Sequence, residues 1–226
     1  MSVLVVAAHP DDEVLGCGGT MARLASEGQV VNVAILGEGI TSRHAQRESA
    51  DPAAIQDLYR CTRRVADLLS AKDVSFHGLP DNRFDSVPLL DVIKLVEEAI
   101  RRWQPTVIYT HHGGDLNIDH QVVNRAVLTA ARPVEGQTIR EVYMFEVASS
   151  TEWAFQQLAP VFKPNVFVNI EDTLPLKLEG MQLYESETRK FPHPRSAEAL
   201  TALAQRRGST VGCRAAEAFE IAYVIR

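Results

Sequence analysis

The sequence predicts an α/β protein with an open, mostly parallel, Rossmann-like sheet carrying helices on both faces. Two observations predict it. The chain opens on "SVLVVAAH", a continuous run of β-branched and small apolar residues, the pattern of a parallel strand buried on both faces. Strand-like runs then alternate with helical segments of ten residues or more as far as about residue 149, and such alternation folds into βαβ units.

The elements follow in order. After the first strand, "VLGCGGTMARLASEGQ" reads as a helix and "VVNVAILGEG" as a second buried strand. "DLYRCTRRVADLLSA" is a helix and "VSFHGL" a short strand. "PLLDVIKLVEEAIRRW" has a strong 3.6-residue periodicity and stops before Pro105. "TVIYTHH" is a strand, "HQVVNRAVLTAAR" a helix and "REVYMFEV" another strand. Beyond residue 149 the rhythm changes. "NVFVNI" and "FEIAYVIR" read as strands, "LPLKLEGMQLYESET" and "AEALTALAQRRG" as helices. With 226 residues and no repeat, low-complexity linker or clear boundary, residues 1–226 are expected to form a single domain.

Composition narrows the function. The formal net charge of -6, without a long block of like charge, argues against a nucleic-acid partner. No apolar stretch approaches the length of a membrane span, and the apolar N-terminus has no basic region before it, so no membrane span and no cleaved leader are expected. Cys17, Cys61 and Cys213 are odd in number and far apart, which indicates neither a disulfide framework nor a cysteine zinc knuckle and fits a reducing, cytoplasmic setting.

Parallel sheets bind ligands where the C-terminal ends of strands feed into loops. Two such ends carry the chemistry here, "AAHPDDE" and "YTHHGGDLNIDH", and they should face one crevice. His9 and Asp12 stand three residues apart in a tight loop, a spacing that lets an imidazole and a carboxylate face one metal ion. The competing explanation makes the acids complements to the positive end of the next helix, at ~0.3–1 kcal/mol per charge, but it leaves His9 without a purpose. "GCGGTM" resembles a dinucleotide-binding turn and fails as one. Met21 takes the third glycine's place, and the acids before the helix would repel a pyrophosphate. Gly16, Gly18 and Gly19 are better used for close approach of the helix to the sheet or to a substrate.

A catalytic zinc site needs about three protein ligands and an open position. His120, in the first turn of a helix just after Asp119, is the best third candidate, with His111 and His112 as competitors. His44, in a polar loop, and His77, in a short strand, receive no role. Asp119 reads equally as a helix N-cap or as a functional acid.

These residues resemble the LmbE-like, or PIG-L, family of zinc-dependent N-acetylglucosamine deacetylases. "AHPDDE" with a downstream H-x-D-H-type segment is the family's signature, the order of elements agrees over about residues 2 to 150, and "RRGSTVGCRAAEAF" is similar to the family's C-terminal segment. The resemblance implies one zinc ion per chain on His9, Asp12 and His120, Asp11 as general base, and Asp119 as the acid that orients a catalytic histidine. Its implied substrate is a small-molecule N-acyl amino sugar or its conjugate, nucleotide- or lipid-linked conjugates included. Relatives of this size are often homo-oligomers. The chain departs from the signature at Asn117, where the family has histidine; an amide can donate to an oxyanion but cannot exchange a proton near neutrality. Asn117 is thus expected to contribute a hydrogen bond, with His111, His112 or His193 left to replace the histidine. The resemblance also suggests Arg60 as a substrate contact. Asp85, in "LPDNRFDS", is a candidate for sugar hydroxyls, and His193 and Arg195, held between prolines in "KFPHPRSAEAL", for a negatively charged substrate portion. Ser196 in the same stretch reads as a helix N-cap. The same residues would also serve a zinc amidase on a non-sugar amide, and the fold would serve a non-catalytic carbohydrate- or nucleotide-binding module.

Overall fold

The computed structural model describes residues 1–43 and 46–226; His44 lies outside the described residues. Seven strands form one sheet: β1 (Ser2–Ala7), β2 (Val30–Gly37), β3 (Asp73–Leu79), β4 (Val107–His111), β5 (Glu141–Phe145), β6 (Val166–Asn169) and β7 (Ala216–Val224). Their order is β3-β2-β1-β4-β5-β7-β6. The first five run parallel, with Val5 opposite Val33 on one side and Tyr109 on the other. β7 is antiparallel to both β5 and β6.

Strand order reverses direction between β1 and β4, so their C-terminal ends open a crevice at the switch point of the sheet. Both motifs leave from these two ends. The α/β class with a mostly parallel sheet, as predicted, is therefore the fold, and its antiparallel edge belongs to the stretch where the strand–helix rhythm changed.

Among the described residues six α-helices cover the sheet: α1 (Asp12–Ser26), α2 (Pro52–Leu68), α3 (Leu89–Trp103), α4 (Ile118–Ala130), α5 (Leu174–Leu183) and α6 (Ala197–Thr210). On one face Val3, Val5 and Ala7 of β1 pack with Met21, Leu58, Val65 and Met181; on the other Leu4, Val6 and Ala8 pack with Val92, Val96, Val123 and Val127. Burial on both sides is the reason the first strand shows no polar alternation. Among the described residues no helix is long and apolar enough to cross a membrane, and all three cysteines are free thiols.

Several boundaries differ from expectation. α1 begins at Asp12, so Asp12 and Glu13 form its first turn. α2 begins five residues earlier than its apolar periodicity indicates, because Asp51 caps it by accepting from the Ala53 amide at 2.8 Å and Pro52 occupies the first turn. α5 ends at Leu183, and the following residues turn back toward the crevice instead of continuing to Thr188.

Helix α1 is broken at Cys17, whose φ of -149° is non-helical. Buried charges repair the break. The Lys177 ammonium donates to the Leu15 carbonyl (2.8 Å) and to Glu217 (2.6 Å), and Glu217 accepts from the amides of Gly19 (3.0 Å) and Thr20 (2.7 Å). The glycines allow the close approach expected of them: a methyl group at Gly16 would enter the Phe145 ring, and one at Gly19 would lie 2.9 Å from Ile170.

Candidate active site

The β1 strand delivers Ala8, His9, Pro10 and Asp11 into the crevice before α1 begins. Asp11 is a non-glycine residue in the left-handed region, with φ 106° and ψ -27°. Such a conformation costs on the order of 1–3 kcal/mol and persists only where the surroundings hold it. Here the Asp11 carbonyl accepts from the amides of Val14 (3.0 Å) and Leu15 (2.9 Å), and its own amide donates to Glu13 at 3.0 Å. The Tyr184 hydroxyl donates to the other Glu13 oxygen at 2.6 Å. Glu13 is thus a buried brace for the turn. Burial lifts its carboxyl to about 7 in spite of the bonds from Tyr184 and the backbone.

Asp12 is the centre of the cluster. Its Oδ2 lies 3.2 Å from His9 Nδ1 and 3.2 Å from His120 Nε2, and accepts the His9 amide at 2.9 Å. Burial opposes its charge, but the His120 and His111 imidazoles hold Asp12 well below the ordinary carboxylate range. Further carboxylates stand behind both histidines. His9 Nε2 is 2.8 Å from Asp119 and 3.3 Å from Asp81, and His120 Nδ1 is 3.1 Å from Asp115. Burial pulls both imidazoles down. Asp119 and Asp12 outweigh it to raise His9 well above its usual value, and Asp12 and Asp115 carry His120 up to about 9. Asp115 is itself held at about 2 against burial by His120 and by the hydroxyls of Ser150 and Thr151.

His9, Asp12 and His120 each offer one ligand atom within 4.8 Å of the others. Both ring nitrogens of His120 are buried without a well-aligned hydrogen bond, although Asp12 and Asp115 are near. Two imidazoles and a carboxylate that converge this way, with carboxylates fixing the rear of each ring, fit a divalent cation. Each ring would keep the N–H that faces its rear carboxylate, and a cation would take the place of the proton on the nitrogen that faces Asp12.

His111 and His112 do not share this point. His111 Nε2 accepts the Ala8 amide at 2.8 Å, and burial and His120 keep the ring well below its usual pKa, so its ligating lone pair is already used. The ring stacks on His120 at 3.9 Å between centroids and forms the back wall. His112 turns away, to the Pro160 carbonyl (2.8 Å) and Glu220 (2.7 Å).

Asn117, not Asp119, is the N-cap of α4: its Oδ1 accepts the Asp119 amide at 2.9 Å, and its Nδ2 donates to Asn82 Oδ1 at 3.1 Å. The cap frees the Asp119 carboxylate for His9 and for the amides of Asn82 (2.6 Å) and Phe84 (2.9 Å). Asp119 thus orients His9 instead of a second histidine.

The mouth of the crevice is a chain of ion pairs. Arg195 NH1 is 2.6 Å from Asp11, and its Nε donates to Ser149 Oγ at 2.8 Å. Glu187 is 3.5 Å from Arg195 and receives Arg43 NH2 on both oxygens, at 2.5 and 2.6 Å. Burial raises Asp11 well above the ordinary range, and Arg195 only partly offsets it.

Of the sequence-predicted contacts, Arg195 therefore reaches the crevice and three do not. Arg60 is exposed on α2 and pairs with Asp57 one turn away. Asp85 is exposed in a short 3₁₀ turn, while Asp81 from the same loop points inward. His193 accepts the Arg195 amide at 3.1 Å and packs edge-on against Trp153 outside the crevice. Ser196 caps α6, as its position predicts. His77 hydrogen-bonds Ser75 at 3.0 Å and takes no part. Sequence reasoning missed Asp81, Asn82, Asp115, Arg43 and Glu187. The strand-end rule that located the two motifs could have found Asp81 and Asn82, which follow β3.

The chain is similar to known proteins in sequence and in fold. Over 190 residues the chain is 27% identical to the uncharacterized deacetylase YaiS of Escherichia coli, covering 81% of this chain and 90% of that one. Two solved structures share the fold. The N,N'-diacetylchitobiose deacetylase of Pyrococcus horikoshii superposes with a TM-score of 0.77 at 20% identity, covering 97% of this chain and 83% of that one. The 4-carboxy-2-hydroxymuconate hydratase of Pseudomonas putida KT2440 also gives 0.77, at 22% identity, covering 100% and 97%. One architecture thus carries two reactions. The model of the PIG-L family, described as GlcNAc-PI de-N-acetylase, matches residues 4–131. Because that match spans more than half of the sequence and includes His9, Asp12 and His120, the chain belongs to the PIG-L family.

Proposed function

We propose that the protein is a zinc-dependent N-deacetylase that removes an acetyl or similar acyl group from an N-acyl amino sugar or its conjugate. The observation that carries this reading is the convergence of His9, Asp12 and His120 beside Asp11, a carboxylate not spent on the cluster. Membership of a family described by de-N-acetylation supports it.

A zinc ion on these three residues would polarise the amide carbonyl and acidify a water molecule. Asp11 is the general base: it takes a proton as water adds to the carbonyl carbon. When the C–N bond breaks, the same proton passes from Asp11 to the departing amine, giving a carboxylate and an amino sugar. Arg195 fixes the Asp11 carboxyl from the mouth side. Asp119 is a positioning residue for His9, and Asp115 for His120. Asn117, bonded to Asp119 and Asn82, shapes the rim and supplies no proton, so Asp11 carries both proton transfers.

The test is release of acetate from a panel of N-acetylated sugars and N-acetylated amino acids, with and without chelator. The expected result is chelator-sensitive release from sugars. Release from the amino acids alone would make the protein an amidase for non-sugar amides; absence of release by the metal-loaded chain would leave a binding module.

A further inference from the structure

Arginines at a crevice ordinarily bind phosphate or carboxylate, and two reach this one. Both are already neutralised. Arg43 is held by both oxygens of Glu187, and Arg195 by Asp11, with Glu187 and the deeper Asp12 adding to the field that keeps its guanidinium charged. Glu187 is buried, with only 8% of its side chain exposed, and the Ser186 hydroxyl (2.8 Å) fixes it in this position. Asp81 adds a third carboxylate, whose Oδ2 accepts the amide and hydroxyl of Ser42 at 3.0 and 2.5 Å.

The charged side chains lining the cleft are thus Asp11, Asp81 and Glu187 against Arg43 and Arg195, with Ser42, Asn82 and Asn117 as the neutral polar groups. A dication among His9, Asp12 and His120 is offset by Asp12 and Asp119, so a negative surplus remains at the mouth.

We infer that Glu187 sets the charge class of the substrate: the cleft accepts uncharged, hydroxyl-rich N-acyl amino sugars and disfavours conjugates bearing a phosphate. The inference rests on the deacetylase reading and narrows it. Sugar hydroxyls can donate to the carboxylates at the mouth, whereas a phosphate finds its two arginines occupied and meets like charge.

The test compares kcat/KM of the zinc-loaded full chain for N-acetylglucosamine and N,N'-diacetylchitobiose with that for N-acetylglucosamine 1-phosphate and 6-phosphate. The uncharged sugars should lead by about tenfold or more. Glu187→Gln releases Arg43 and should shrink that lead by about tenfold, mainly through a lower KM for the phosphorylated sugars, while Glu187→Asp keeps it. Equal or better use of the phosphorylated sugars by the natural chain, or an unchanged ratio in folded Glu187→Gln, overturns the inference. If Glu187→Gln does not fold, salt replaces it: screening should narrow the natural chain's lead, and a lead indifferent to salt counts against the inference. Calorimetric affinities for N-acetylglucosamine and its 1-phosphate read the same preference without turnover. A chain that binds the uncharged sugar more tightly but releases no acetate would therefore defeat the deacetylase reading and retain this one.

Discussion

Four ionisable residues within five positions, His9, Asp11, Asp12 and Glu13, do three different things because the backbone turns between them. Asp12 faces the two imidazoles, Asp11 is swung by its positive φ toward Arg195, and Glu13 points back to brace the Asp11 amide. Separating binding from proton transfer gives a paired prediction. Asp11→Asn should retain zinc and lose about 10²–10⁴-fold in turnover, whereas His120→Ala should lose the metal, both measured by metal analysis beside acetate release. Near-normal turnover in zinc-loaded Asp11→Asn would remove it as the base, and full zinc occupancy in His120→Ala would remove that ligand. The motif residues were legible in the sequence because their spacing is local. Arg43 and Glu187 were not, since a surface arginine and one that closes a crevice look alike until the loops are placed; Arg60 and Arg43 illustrate both cases.

At the scale of elements, α1 is the part that must be held still, since its first turn carries Asp12. Its break at Cys17 removes helical hydrogen bonds, and the Lys177–Glu217 pair, brought from α5 and β7, takes over the Leu15 carbonyl and the Gly19 and Thr20 amides. Removing one member of a buried pair strands the other. Lys177→Met should therefore destabilise the fold by about 3–5 kcal/mol in urea denaturation. A loss below about 1 kcal/mol would show that the broken helix needs no such splint. Periodicity located this helix but not its break, because Gly16, Gly18 and Gly19 announce close packing without saying what fills it. It also misjudged where α2 begins, since Asp51 and Pro52 are capping signals outside the apolar stripe.

For the whole molecule, the sheet order brings loops from β1, β2, β3 and β4 and the segment after α5 to one crevice. Carboxylates are gathered there at the expense of mutual repulsion, which a bound dication relieves. Metal should accordingly stabilise the folded chain: zinc at a hundred times its dissociation constant contributes about 2.7 kcal/mol. For a chain of this size that corresponds to a rise in Tm of roughly 5–10 °C. The comparison is chelator-stripped against zinc-loaded protein by thermal denaturation, with His120→Ala as the control that should show no rise. An equal rise in that variant would place the stabilising ion elsewhere.

The sequence by itself determined the α/β class, because buried parallel strands are a local property of a chain, and it singled out two strand ends with His9, Asp12 and His120 as the candidate metal ligands. Only the tertiary structure decided the partners of those residues. It gave the N-cap to Asn117 and Asp119 to His9, turned Asp81 inward in place of Asp85, and brought Arg195 from 184 positions away onto Asp11. Side-chain direction depends on turn geometry and on contacts distant in sequence, neither of which a local pattern encodes.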